Sequence, residues 1–193
     1  MNLVLKIKDF IKKECQDNSQ QVADWFFSEH LEVVDKYAQK LLQQNPEANS
    51  EVVELAVWLH DVQRIYNLDG EHALTGAIKS REILKNFNCK DGIIEQVYEA
   101  VRTHRANSPE TQPATLEGKI LATADAMAHF SSNFYLKVFL SKMKKGEFEN
   151  VQEFKNWAIK KINRDYQNKI FFEEARKIIK SQYQTLIGFF SLN

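Results

Sequence analysis

Glycine and proline are scarce in this 193-residue chain, with 6 and 3 copies. A fold rich in hairpins and tight turns needs more of both, so their scarcity favours helices. Cysteine is nearly absent. Cys15 and Cys89 have neither paired nor metal-type spacing, which points to ordinary thiols of a reducing cytoplasm rather than a disulfide. No apolar run approaches the roughly 20 residues of a membrane span. The N-terminal stretch is broken by lysines at 6, 8, 12 and 13 and reads as an amphipathic first helix, not a signal peptide. Neither sign of charge is in excess, since 26 basic residues cancel 26 acidic ones, so global charge points to neither nucleic acid nor membrane.

What is present is a helical pattern almost throughout, with 44% hydrophobic residues to build a core. The spacing predicts an all-α chain and no strand. Expected helices cover about 2–16, a long second one capped by Ser19 and ending at Asn45-Pro46, then 51–61, 71–87, one opening at Asp91-Gly92, 116–130 capped by Thr115, and three amphipathic segments near 132–145, 149–165 and 168–191. Residues 105–114, with two of the three prolines, form the longest loop and a candidate entrance to a site. Between Lys142 and Lys180, 11 Lys/Arg face 6 Asp/Glu, a local +5 that reads as a solvated helical face. Aromatics such as Phe134 and Trp157 fall at helical spacings and read as packing residues.

Four positions break the pattern. His30, His60, Asp61 and Asp125 each carry a metal-capable side chain on a face that should be core. Taken singly, a core histidine is more often a hydrogen-bonded structural residue, and Asp125 could be a buried salt-bridged group. Together they demand a partner, because burying unpaired carboxylates costs several kcal/mol. Two imidazoles and two carboxylates suit a divalent ion: Mn, Fe, Ni, Co or Zn, and less clearly Mg.

The order His30, His60-Asp61, Asp125 resembles the H…HD…D signature of the HD-domain superfamily of metal-dependent phosphohydrolases. LHDVQR, EHALTGA (71–77), VRTHR (101–105) and LATADAMAHF (121–130) are similar to further stretches of that family, so the resemblance covers about residues 20–130. It implies a helical bundle with a C-terminal helical extension, a single domain over 1–193 in which an HD-like core (about 20–130) carries the helices of 131–193. It also implies His30, His60, Asp61 and Asp125 as ligands of one divalent ion. His72 and His104 then hold a second ion, or contact phosphate and a catalytic water, beside a catalytic Asp61.

Two residues depart from the family pattern: Gln63, where glycine is common, and Arg105, where some two-metal members have another histidine. Arg64, one turn beyond His60, is the best-placed candidate to bind phosphate, and Arg102 and Arg105, which flank His104, are weaker ones. His129, one turn after Asp125, reads as structural. The expected function is cytoplasmic hydrolysis of a small phosphoester, such as a nucleotide, by a monomer or homodimer with no nucleic-acid or membrane partner. A non-catalytic module binding a nucleotide or a protein, and a di-iron oxygenase, are the alternatives.

Overall fold

The computed structural model describes residues 2–130 and 133–192. The helices are α1 (Leu3–Asp17), α2 (Glu32–Gln44), α3 (Ser50–Leu59), the short α4 (Val62–Tyr66), α5 (His72–Asn86), α6 (Asp91–Thr103), α7 (Leu116–His129), α8 (Phe134–Lys144), α9 (Val151–Arg164) and α10 (Glu173–Ser191). The chain is all-α, and no strand occurs among the described residues. No described helix is long and apolar enough to cross a membrane. Cys15 and Cys89 are free thiols.

The hydrophobic pattern of α3 explains its place. Val52, Val53, Leu55, Ala56, Val57, Trp58 and Leu59 are all buried, so the helix has no water-facing stripe and must be surrounded. It packs against α1, α2, α6 and α7. Asn49 caps it by accepting from the Val52 N–H. Glu117 of α7 accepts from the Asn49 N–H at 2.9 Å, fixing the two helices in register. Thr115 caps α7 as its sequence predicts, and the alanines of α7 are wholly buried, which lets neighbouring helices approach closely.

Three boundaries differ from the sequence expectation, each for a physical reason. The second helix does not begin at Ser19. Residues 18–26 form turns, and a π turn at Phe27–Leu31 leads into α2. Val22 and Phe26 are buried all the same, because an i, i+4 apolar pair can be anchored by a turn as well as by a helix. The third helix ends at Leu59 rather than 61: Asp61 has left the helix (φ −111°, ψ 20°), and α4 starts after it. A second π turn, Asp165–Lys169, separates α9 from α10, which begins at 173 rather than 168. The expected start of the eighth segment, residue 132, lies outside the described residues. The loop 105–114 contains one 3₁₀ turn at Pro109–Thr111.

Gly76 lets α5 lie against the end of α3. A Cβ there would meet the His60 carbonyl oxygen at 3.3 Å. Thr123 of α7 ties down the other side of the site. Its Oγ1 donates to the Lys169 carbonyl (3.0 Å) and accepts from the Phe171 N–H (3.1 Å). Arg176 adds bonds to the carbonyls of Tyr166 and Ile170, both at 2.7 Å.

Candidate metal centre

His30 sits within the first π turn, a local widening that recurs at functional sites. It is buried, as are His60, Asp61, His104 and Asp125, while His72 is largely so. Five of the six line one cavity of about 410 Å³, and His60 is wholly buried beside them.

Two sets of donor atoms converge there. One atom each from His30, His60 and Asp125 lie within 4.8 Å of one another, and so do one each from Asp61, His72 and His104. Asp61 stands between the sets. Its Oδ2 lies 3.6 Å from His30 Nε2 and 3.9 Å from His60 Nε2, while its Oδ1 lies 2.5 Å from His72 Nε2 and 3.9 Å from His104 Nε2.

The far side of the imidazoles decides what their Nε2 atoms can do. His60 Nδ1 donates to the Val57 carbonyl (2.8 Å) and His104 Nδ1 to the Val101 carbonyl (2.6 Å), each one turn back at a helix end. His72 Nδ1 donates to Gln63 Oε1 at 2.7 Å. Gln63 is itself held as an acceptor there, because its amide nitrogen donates to the Leu68 carbonyl. With Nδ1 protonated, a neutral ring points an Nε2 lone pair at carboxylate oxygens, which are acceptors too. His60 Nε2 is buried and has no hydrogen-bond partner among the described residues. A set of lone pairs facing one another fits a divalent cation, and tying off the opposite nitrogen is how proteins orient histidine ligands. Gln63, a departure from the family pattern, is therefore the group that orients His72.

The charges agree. Burial works against ionisation of Asp61, yet the Arg64 guanidinium above all holds its carboxyl well below the usual range. Asp125 is likewise held well down against burial, with the Lys169 ammonium as its paired cation. Burial lowers His30, whereas His60 is raised because Asp61 and Asp125 outweigh its burial. Arg64 donates from Nε to Asp61 Oδ2 at 2.8 Å, so it serves this carboxylate while its half-exposed side chain borders the cavity. Arg105 also lines the cavity and pairs loosely with Glu71 at 3.6 Å. Arg102 is instead tied to Glu99 and does not line the cavity. Beyond Arg105, the rest of the loop to 114 does not reach the cavity.

The C-terminal helices reach it instead. Lys169 is buried and paired with Asp125 Oδ2, and Asp165 is buried in the same π turn. Part of the basic segment is thus turned inward rather than solvated. His129, read from sequence as structural, puts Nε2 3.2 Å from Asp125 Oδ1 and Nδ1 2.8 Å from Asp165 Oδ2. Its ring lies parallel to that of His30, 5.4 Å away. Phe134 and Trp157 also line the cavity, so they do more than fill a core. The signal available in the sequence was the i, i+4 run Lys161, Asp165, Lys169.

A model of the HD domain family matches residues 27–129, more than half of the sequence. The chain belongs to the HD domain family. A crystal structure of an HD-superfamily hydrolase from Bacillus thuringiensis superposes with a TM-score of 0.68 at 19% identity, over 96% of this chain and 92% of that one. No curated protein matches. The HD match ends at His129, so Lys161, Asp165 and Lys169 join the HD site from beyond it.

Buried neutral imidazoles give this HD domain a pH dependence. His129 is pushed down to about 3, by burial first and then by Lys161, against the pull of Asp125 and Asp165. His104 is held well below its ordinary value by burial and then by His60 and Lys169. In the unfolded chain both titrate near 6.5, so the unfolded state binds more protons below that pH and stability falls with pH. The loss begins near pH 6.5 and is complete only below the folded values. At about 1.4 kcal/mol per pH unit, His129 alone accounts for about 2 kcal/mol between pH 6.5 and 5. The lowered carboxylates add their loss only below about pH 4. His60, raised in the fold, works the other way and offsets part of this, so chelator-treated protein is expected to lose about 1–2 kcal/mol between pH 7.5 and 5 in urea denaturation. Equal stability at both pH values would show that these imidazoles are not buried neutral.

Proposed function

We propose that this HD domain is a metal-dependent phosphohydrolase acting on a small phosphoester, with a nucleotide or related phosphometabolite as the first class to test. The observation that carries the reading is the convergence of imidazole Nε2 atoms on the oxygens of Asp61 and Asp125, with the Nδ1–H groups of His60, His72 and His104 tied off. His30, His60, Asp61 and Asp125 would hold the principal ion. His72 and His104, with the other oxygen of Asp61, would hold a second ion or contact phosphate and water.

A bound divalent ion supplies a hydroxide near neutral pH, by lowering the pKa of water from 15.7 towards about 7, and polarises a phosphoryl oxygen. The chain does the rest. Asp61, ionised and fixed by Arg64, accepts a hydrogen bond from the attacking water and orients it. Arg64 and Arg105 face the cavity, where negative charge spreads over the phosphoryl oxygens as the bond breaks. The aromatic rings of Phe134 and Trp157 give the cavity apolar walls suited to the organic part of a phosphoester.

The test is phosphate release from a panel of nucleotides and sugar phosphates with Mn supplied, together with elemental analysis of the purified protein. Metal-dependent release from at least one member is the expected result. A chain that retains or binds no divalent ion would overturn the reading. The donor set Asp61, His72 and His104 favours one rival, an oxygen-using di-iron centre. Two irons per chain and oxygen consumption without phosphate release would establish that rival instead.

A further inference from the structure

The cavity holds more positive charge than its carboxylates require. Arg64, Arg105, Lys161, Arg164 and Lys169 all line it. The buried carboxylates that meet them are Asp61, Asp125 and Asp165: Arg64 bonds Asp61, Lys169 bonds Asp125, and Lys161 and Arg164 both bond Asp165 at 2.7 Å. Lys142 and Lys145 line the cavity too, beside the exposed Glu147, so seven cations face four carboxylates and leave an excess of three, with the exposed Glu71 3.6 Å from Arg105. A divalent ion would widen that excess further.

The crowding is felt by the groups themselves. Burial and then the charges of Arg164 and Arg64 lower Arg105. Lys161 is lowered to about 8, by burial first, with Lys169 and Arg164 adding to it against Asp165. Like charges gathered around one cavity repel one another, and an anion bound between them would relieve that repulsion. A fold that merely neutralised Asp125 and Asp165 would need two cations there, not three.

We propose that Lys169 and Arg164, contributed by the segment after the HD match, form with Arg105 a clamp for a phosphate dianion, so that the C-terminal helices complete the active site. This rests on the phosphohydrolase reading. Lys169 is suited to the role because its backbone is fixed at both sides by Thr123 and Arg176 while its side chain ends in the cavity. Its ammonium has three donors, and Asp125 need not occupy all of them. Arg164 has a side chain one-third exposed and bonds Asp165 Oδ1 through Nε and Nη2, so the Nη1 donors of its guanidinium are not spent on that carboxylate.

The experiment uses the full chain loaded with Mn and inorganic phosphate as the probe. Phosphate affinity is read by paramagnetic broadening of the phosphorus resonance, and Mn stoichiometry by electron paramagnetic resonance. Lys169→Met is expected to weaken phosphate binding by about 10-fold or more, as for a lost charge-assisted hydrogen bond, and Lys169→Arg by no more than about 3-fold. Arg164→Gln is expected to weaken it several-fold, and every variant should keep wild-type Mn stoichiometry. Wild-type phosphate affinity in both Lys169→Met and Arg164→Gln, with Mn retained, would overturn the clamp. If Lys169→Met does not fold, Arg164→Gln decides alone. A wild type that hydrolyses the substrate panel yet binds no phosphate also overturns it. Phosphate binding that depends on Lys169, without hydrolysis of any substrate, would instead overturn the phosphohydrolase reading and leave the clamp as a binding site.

Discussion

Asp125→Ala is expected to destabilise the metal-free protein by about 3–5 kcal/mol, and adding Lys169→Met is expected to restore most of that loss. Asp125 and Lys169 are 3% and 2% exposed, and each is the other's closest opposite charge. Removing one partner of a buried pair leaves the other as an uncompensated charge in a low-dielectric surrounding, which costs far more than the pair contributes. The ammonium cannot readily swing out, because the Lys169 carbonyl is held by Thr123 and the turn by Arg176. Methionine keeps much of the length and volume of lysine without the charge, so the double variant removes the problem rather than creating a second one. Urea denaturation of the wild type, both single variants and the double variant gives the coupling directly. Additive losses would mean that Lys169 reaches water once Asp125 is gone.

The same pair shows where sequence reading stops. The HD motif was legible because its residues fall on otherwise apolar stripes: Val52 to Leu59 leads straight into His60-Asp61, and Asp125 lies among buried alanines. Those surroundings make a polar residue conspicuous. Lys169 and Asp165 have no such frame. Their neighbours in RDYQNK are polar, and burial arises only because a π turn interrupts the helix and folds the segment onto α7. A local +5 then reads as a solvated face. His129 was on the correct helix face, one turn from Asp125, but its role depends on Asp165, which is 36 residues away. In the sequence Gln63 reads only as a departure from the family pattern. Its use became visible when the turn after α3 brought its side chain to His72. The early start assigned to the second helix has the opposite cause: Val22 and Phe26 carry a helical spacing that turns satisfy equally well.

Asp61→Ala should behave differently from Asp125→Ala, and the contrast separates the metal centre from the folding core. Its main cationic partner, Arg64, has a side chain 54% exposed, so the freed guanidinium can return to water. The expected cost in stability is therefore modest, about 1–2 kcal/mol, close to the loss of one charged hydrogen bond. The functional loss should be large. Asp61 offers one oxygen towards His30 and His60 and the other towards His72 and His104, so both donor sets lose a carboxylate at once. Without it the ion is expected to be absent on elemental analysis, and kcat/KM to fall by about 10³-fold or more, since the Lewis-acid contribution amounts to several kcal/mol. Chelation of the wild type should give the same loss and be reversible on adding Mn, which Asp61→Ala should not be. A folded Asp61→Ala variant that keeps a full complement of metal would remove Asp61 from the ligand set. Activity retained within about 10-fold would show that the attacking water is oriented by another group, with His72 and His104 next in line.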